Sequence, residues 1–246
     1  EALSWRERAA LPLVTITAWE AMVDRTRIAP GDHVLIHGGA GGVGHIAIQL
    51  AKAQGARVAA TISSAAKADI ARRMGADETI NYREESVEDY VQRLTSGRGF
   101  DVVFDATGGS DIATSFAGVR VNGQVATIVS QYEADLTPMH TKSLTLHAIF
   151  MLTSMLHGVH PQHHAEILTK AAQLAATDQL KPLLDERRFT LGDGGVRLRG
   201  DRYLLLSPQH VAATLYRFVR FKEHFRWHFD GVFGEGAHHA PIAAER

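Results

Sequence analysis

Residues 33–52 read HVLIHGGAGGVGHIAIQLAK, and no other stretch restricts the possible folds of this chain so severely. A β-rich run, His33–His37, enters a cluster of glycines. The cluster opens directly into an apolar helical pattern with Ile46, Ala47, Leu50 and Ala51 on one side. Gly39, Gly41 and Gly44 match G-x-G-x-x-G in the strand–turn–helix setting that gives this motif meaning. The first glycine permits the tight turn, the second lets the backbone approach a pyrophosphate, and the third lets helix and strand pack closely. The helix N-terminus adds free N–H groups and the positive end of a dipole. A phosphate loop of the Walker type needs Lys and then Ser or Thr after the last glycine. His45 and Ile46 stand there, so triphosphate chemistry lacks its main cation. The remaining alternative is a glycine-rich turn that binds nothing.

The surrounding pattern decides the fold class. Residues 5–26 read as one or two helices broken near Pro12, with Trp19, Met22 and Val23 at helical spacing. Pro30-Gly31-Asp32 is a turn. Strands are then expected at His33–His37, Arg57–Ile62, Thr79–Tyr82, Asp101–Ala106, Gly123–Val129 and Leu144–Phe150. Helices are expected after Gly44, at Ala65–Met74, at Ser86–Thr95 with Ser86 and Asp89 as a capping pair, and at His164–Ala176. Such alternation predicts an α/β fold, a doubly wound parallel (Rossmann) sheet, with ligands outside the carboxyl ends of the strands. From about Leu191 the alternation stops. Ser207-Pro208 could cap one helix carrying Val211, Leu215, Phe218 and Phe221.

Bulk properties narrow the partners. The 246 residues carry a net charge of −1, which gives no pull toward nucleic acid or an anionic membrane surface. There is no cysteine, which excludes disulfides, a four-cysteine zinc lobe and a thiol nucleophile. No apolar run reaches the roughly 18 residues of a membrane-spanning helix. The start, EALSWRERAALP, lacks the pattern of a signal peptide and an initiator Met. A cytoplasmic location and a beginning inside a longer protein are the expectations.

The end of the second strand addresses the choice of nucleotide. An NAD-binding turn usually carries Asp or Glu there for the ribose 2′-OH. Here the segment is Thr61-Ile62-Ser63-Ser64, and no carboxylate follows until Asp69 on the helix. Hydroxyls followed by Lys67 one helical turn later suit a 2′-phosphate.

Taken in order, AALPLVTITAWEAM, PGDHVLIHGGAGGVGHIAIQLAKAQGARVAAT, MGADETINYREE, FDVVFDATGG and LDERRFTL resemble the medium-chain dehydrogenase/reductase superfamily. Within it they resemble the zinc-independent quinone oxidoreductase (zeta-crystallin-like) branch. The resemblance covers roughly residues 1–191. It implies NADPH as cofactor, with Ser63, Lys67 and Tyr82 around the 2′-phosphate. It places Thr17 near the nicotinamide, and Gly41, Gly42 and Val43 at the pyrophosphate. It sets the loop Asp105, Ala106, Thr107, Gly108 beside the adenosine ribose, and Ser130 with Ile149, Phe150 and Met151 flanking the nicotinamide. Core or interface packing is the competing role for Phe150. Zinc-dependent members carry a cysteine ligand where this chain has Leu13, so no metal is expected. His157, His160, His163 and His164 form a His-rich stretch interrupted by Pro161, which is read as a solvated loop and helix start.

The chain departs from the family pattern at both ends. The resemblance implies an N-terminal catalytic domain before Glu1, with residues 1–27 as linking helices and 28–191 as the dinucleotide-binding domain. The tail, 192–246, does not match; its Arg-, His- and Gly-rich composition suits a shifted reading frame or disorder. The expected function is NADPH-dependent, zinc-independent reduction of quinones or activated alkenes, with no proton donor assigned. The alternative is a truncated, non-catalytic NADP(H)-binding module. Some members of this branch bind RNA, which the near-neutral charge disfavours. No tyrosine has a lysine four residues on, which disfavours short-chain reductase chemistry. The strand Leu144–Phe150 is apolar and would be an association liability at the sheet edge, and the resemblance implies that such edges pair across a homodimer.

Overall fold

All six strands expected in the first 150 residues form, and they align in one parallel sheet of order β3-β2-β1-β4-β5-β6. They are β1 (His33–His37), β2 (Arg57–Ile62), β3 (Glu78–Asn81), β4 (Phe100–Asp105), β5 (Val119–Thr127) and β6 (Thr145–Ala148). This computed structural model describes residues 3–108, 111–129, 133–160 and 162–184, and the backbone of residues 196–198 and 202–204. Val34 pairs with Val58 on one side and Val102 on the other, so β1 lies at the centre. The strand order reverses between β1 and β4, the switch point at which such sheets hold ligands.

Alternate side chains of each strand leave on opposite faces, which makes two cores. Val34, Ile36, Val58, Ala60, Val102 and Phe104 join the core on one face. Leu35, Ala59, Ile80, Val103 and Val125 join the other, with Tyr90 and Phe116. The first face receives α2 (Pro12–Trp19), α3 (Gly44–Ala53) and α9 (His163–Ala176). The second receives α5 (Val87–Thr95) and α6 (Asp111–Gly118). Helix α3 is buried on every side from Gly44 to Ala51, because α2 and the segment after α9 cover the flank that the sheet does not. The one-sided pattern read from its sequence therefore understates its burial.

Local chemistry explains the boundaries. Ser4 caps α1 (Trp5–Ala10) in a reciprocal capping box with Glu7, and Pro12 opens α2, where its missing N–H costs nothing. The chain then widens into a π-helical turn, Glu20–Arg25, which the sequence pattern did not indicate. Helix α4 (Ala65–Arg73) stops before Gly75, whose φ of 104° suits only glycine. Ser86 caps α5 as expected: its Oγ accepts from the Asp89 amide at 3.2 Å and donates to the Asp89 carboxylate at 2.7 Å. Strand β5 begins four residues before the expected Gly123, with a register shift against β4. Helices α6, α7 (Thr137–Lys142) and α8 (Thr153–His157) were not anticipated; at five to eight residues they are too short for a clear period.

Residues 1–184 form one compact unit and 185–246 a second. In the second unit Val196–Leu198 pairs antiparallel with Arg202–Leu204. The helix expected after Ser207 lies outside the described residues. No helix among the described residues is long and apolar enough to cross a membrane.

Candidate functional site

Six parallel strands deliver their following residues to one edge of the sheet. That edge collects Gly38–Val43 after β1, Ser63 after β2, Tyr82 after β3, Ala106–Gly108 after β4 and Ile149–Met151 after β6. Most of the sequence-assigned positions therefore share one edge through topology alone.

The glycine turn is built by close approach. Gly38, rather than Gly39, takes the left-handed conformation, with φ of 71°. Its amide donates to Thr61 Oγ1 at 3.0 Å, and the Gly39 amide donates to the Thr61 carbonyl at 3.2 Å. A Cβ on Gly39 would lie 2.6 Å from Ala60 Cβ, so this glycine exists for packing against β2. A Cβ on Gly44 would collide with the Gly38 carbonyl oxygen, so the third glycine seats α3 on the turn. Gly42 differs: its Cβ would meet nothing nearer than Val14 Cγ1 at 3.9 Å. Gly41 and Gly42 are exposed, and Val43 caps α3 without a side-chain hydrogen bond. Among the described residues no acceptor takes the amides of Gly42, Val43 and Gly44. Gly42 is exposed, Val43 half-buried and Gly44 buried, and amides without an acceptor at a helix start fit a pyrophosphate.

At the neighbouring strand ends, the Tyr82 amide donates to the Ile62 carbonyl at 3.3 Å, which brings Tyr82 beside Ser63. Ser63 is half-buried, and Lys67 is exposed on the first turn of α4 with no ion pair among the described residues. The Tyr82 ring is exposed, and the Arg83 guanidinium lies over it at 6.0 Å. Arg83 adds a second cation to this corner, which the sequence reading did not assign; its adjacency to Tyr82 was the available signal. Asp69 is an exposed carboxylate tied to Arg72 at 3.2 Å on the same helix. No acid occupies the end of β2.

Asp105 holds its loop together from within. Its carboxylate is completely buried. One oxygen accepts from the Thr107 amide at 3.0 Å, the Thr107 hydroxyl at 2.9 Å and the Gly108 amide at 3.1 Å. The other accepts from the Thr127 hydroxyl at 3.0 Å. Asp105 thus shapes the loop from inside, and Thr107 is its exposed residue. Gly108 has φ of 76° and presses on Val129. The Thr107 methyl lies where a Cβ on Gly38 would come within 2.7 Å, so the two loops touch.

Thr17 is almost wholly buried, and its hydroxyl donates to the Leu13 carbonyl at 2.8 Å. Its free capacity is therefore as an acceptor. Ile149 is buried, with its amide on the Thr127 carbonyl at 2.8 Å, and Met151 packs on the first core. Phe150 is 44% exposed, as a residue kept for a ligand or an interface would be. Ser130 lies outside the described residues. His163 and His164 are not merely solvated. They meet Asp24 at 2.7 Å and Glu20 at 3.2 Å, tying α9 to the π-helical turn. No cluster of three metal-ligating side chains occurs among the described residues.

Comparison with known proteins agrees with this fold. Residues 42–173 match the family model described as zinc-binding dehydrogenase. The structure is similar to an alcohol dehydrogenase superfamily protein from Novosphingobium aromaticivorans, with 41% identity and a TM-score of 0.72, covering 76% of this chain and 56% of that one. It is also similar to the Escherichia coli quinone oxidoreductase solved with NADPH, with 28% identity and a TM-score of 0.67, covering 75% and 57%. A 2-haloacrylate reductase from Burkholderia sp. is 39% identical over 118 residues, 48% of this chain and 35% of the reductase. The chain thus spans only about a third to somewhat over half of these relatives. The match over more than half its length shows that the chain belongs to the zinc-binding dehydrogenase family of the medium-chain dehydrogenase/reductase superfamily.

Proposed function

We propose that this chain is the cofactor-binding part of an NADPH-dependent oxidoreductase that reduces quinones or activated alkenes without zinc. The observation that carries the cofactor choice is the corner after β2 and β3. Ser63, Lys67, Tyr82 and Arg83 share it, and no carboxylate stands at the strand end. A 2′-phosphate is favoured by cations and hydroxyl donors and disfavoured by an acid. The relatives support the reaction class: among them are a quinone oxidoreductase solved with NADPH and a 2-haloacrylate reductase. Leu13 stands where the resembling zinc enzymes carry a cysteine, and the sequence contains none.

Bound NADPH supplies a hydride from its nicotinamide ring. The chain's residues bind and orient it. Gly42, Val43 and Gly44 offer amides to the pyrophosphate. Thr107 and Gly108 border the adenosine ribose on a loop stiffened by Asp105. Thr17 accepts a hydrogen bond at the nicotinamide end, where Phe150 supplies an apolar surface. Ser130 completes that end in this reading. A homodimer joined along β6 is part of the same reading, since β6 is an open sheet edge.

A second reading is a cofactor-binding module without turnover. A fluorescence titration with NADPH and NADH tests the first part of both. NADPH is expected to bind the tighter; equal or tighter NADH binding refutes the 2′-phosphate corner. A quinone-reduction assay then separates enzyme from module.

A further inference from the structure

A strap of four residues after α9 is fastened to the side of α3 by two buried side chains. Gln49 grips one residue of it twice: its Oε1 accepts from the Lys181 amide at 2.7 Å and its Nε2 donates to the Lys181 carbonyl at 2.9 Å. One turn earlier, His45 Nε2 accepts from the Leu183 amide at 3.0 Å. That acceptance assigns the ring proton to Nδ1, which donates to the Gly41 carbonyl at 2.9 Å. The ring is 3% exposed. Burial lowers its pKa from the ordinary 6.5, outweighing the Gly41 and Gly42 carbonyls that raise it, so the neutral form persists.

The Gly41 carbonyl and the Gly42 amide belong to one planar trans peptide and point in opposite directions. A donor that holds the carbonyl inward turns the amide outward. The carbonyl also accepts from the His45 backbone amide at 3.2 Å, so one residue contacts it twice. We infer that His45 is a positioning residue that couples the docking of residues 181–184 on α3 to the aim of the Gly42 amide toward the cofactor. The inference rests on the cofactor site proposed above. Its consequence is that a segment remote in sequence from the glycine turn sets how tightly the turn holds a phosphate.

The test uses the full 246-residue chain. Gln49→Leu releases the strap but also removes the bond from Gln49 Nε2 to the His45 carbonyl at 2.9 Å, whereas Lys181→Pro releases it without altering α3 and is the decisive variant. Exchange of the hydrogen-bonded amides of Gly41, His45 and Leu183 is followed by NMR without cofactor, and NADPH affinity is followed by fluorescence. Either variant is expected to speed exchange at Gly41 and His45 as well as Leu183, and to weaken NADPH binding about 5-fold. In a His45→Ala background the same changes should leave the turn and the affinity as His45→Ala alone sets them. Faster exchange confined to Leu183, or effects that add in the double variants, overturns the coupling. A parent chain that binds no NADPH defeats the proposed function, while the exchange comparison still decides the coupling. Lys181→Pro keeps the test open if Gln49→Leu does not fold.

Discussion

The backbone amide of Tyr82 donates to the carbonyl of Ile62 at 3.3 Å, extending the β2–β3 ladder one step beyond the last paired strand residues, Ile62 and Asn81. That step sets Tyr82 next to Ser63 at the strand ends, two residues 19 positions apart in the chain. The corner they form has exposed cations on two sides, Lys67 and Arg83.

Substitution at this corner should separate the two nucleotides. Lys67→Ala is expected to weaken NADPH about 10-fold, the loss of one charge-assisted contact, and to leave NADH unchanged. Ser63→Asp is expected to reverse the preference by repelling the phosphate and accepting from the ribose hydroxyl. Parallel titrations with both nucleotides check this. Equal weakening of both by Lys67→Ala would remove the lysine from the phosphate pocket.

Two glycines of the turn, Gly39 and Gly42, should behave oppositely. Gly39→Ala places a methyl 2.6 Å from Ala60 Cβ and 3.1 Å from Ile48 Cδ1, and overpacking of this kind costs about 1–3 kcal/mol. Gly42→Ala meets only Val14 at 3.9 Å, so stability should change by less than about 0.5 kcal/mol. Its methyl nevertheless stands at the exposed amides, and NADPH binding should fall. Thermal unfolding and titration of both variants read the contrast.

Asp101 ties the start of the sheet together, accepting from the His33 amide at 2.8 Å and from Arg120 at 2.6 Å. Burial alone would raise its pKa. The His33 amide, the Arg120 hydrogen bond and the charges of Arg98 and Arg120 prevail and hold it below the ordinary 3.8. A carboxyl depressed on folding contributes stability that is complete above the unfolded value and is lost as pH falls through the lower folded value. Stability should therefore decline below about pH 4. Asp101→Asn should cost about 1–3 kcal/mol near neutrality, and its curve should lack part of that decline. Denaturant unfolding from pH 2 to 7 measures both.

The open edge at β6 is expected to pair between two copies. Sedimentation equilibrium at micromolar concentration should report a dimer, and Thr145→Lys with Ala148→Lys, at exposed edge positions, should report a monomer. A monomer without substitution would end the dimer reading.

Sequence reading was most reliable where period and punctuation coincide. β1 and β2 match their expected limits residue for residue, because each is a continuous apolar run bounded by turn residues. Ser86 was legible as a cap because its partner lies three residues away. Less was legible where a role depends on distant residues. Gly38 and Gly39 look alike in sequence, and only the nearness of Ala60 and Thr61 tells them apart. Asp105 sits in a loop that resembles a ligand-facing one, yet Thr127 from the next strand helps to turn its carboxylate inward. His163 and His164 meet acids more than 130 positions away.

The sequence by itself determined the α/β alternation, the glycine turn between β1 and α3, and the absence of an acid after β2. These are local properties, set by side-chain period and by what each residue type permits its own backbone to do. Only the tertiary structure decided which glycine packs and which stays open, which hydroxyls and carboxylates are already occupied, and that His45 reaches from the turn to Leu183. Those depend on hydrogen bonds and contacts across the sheet and between helices, whose partners no periodicity specifies.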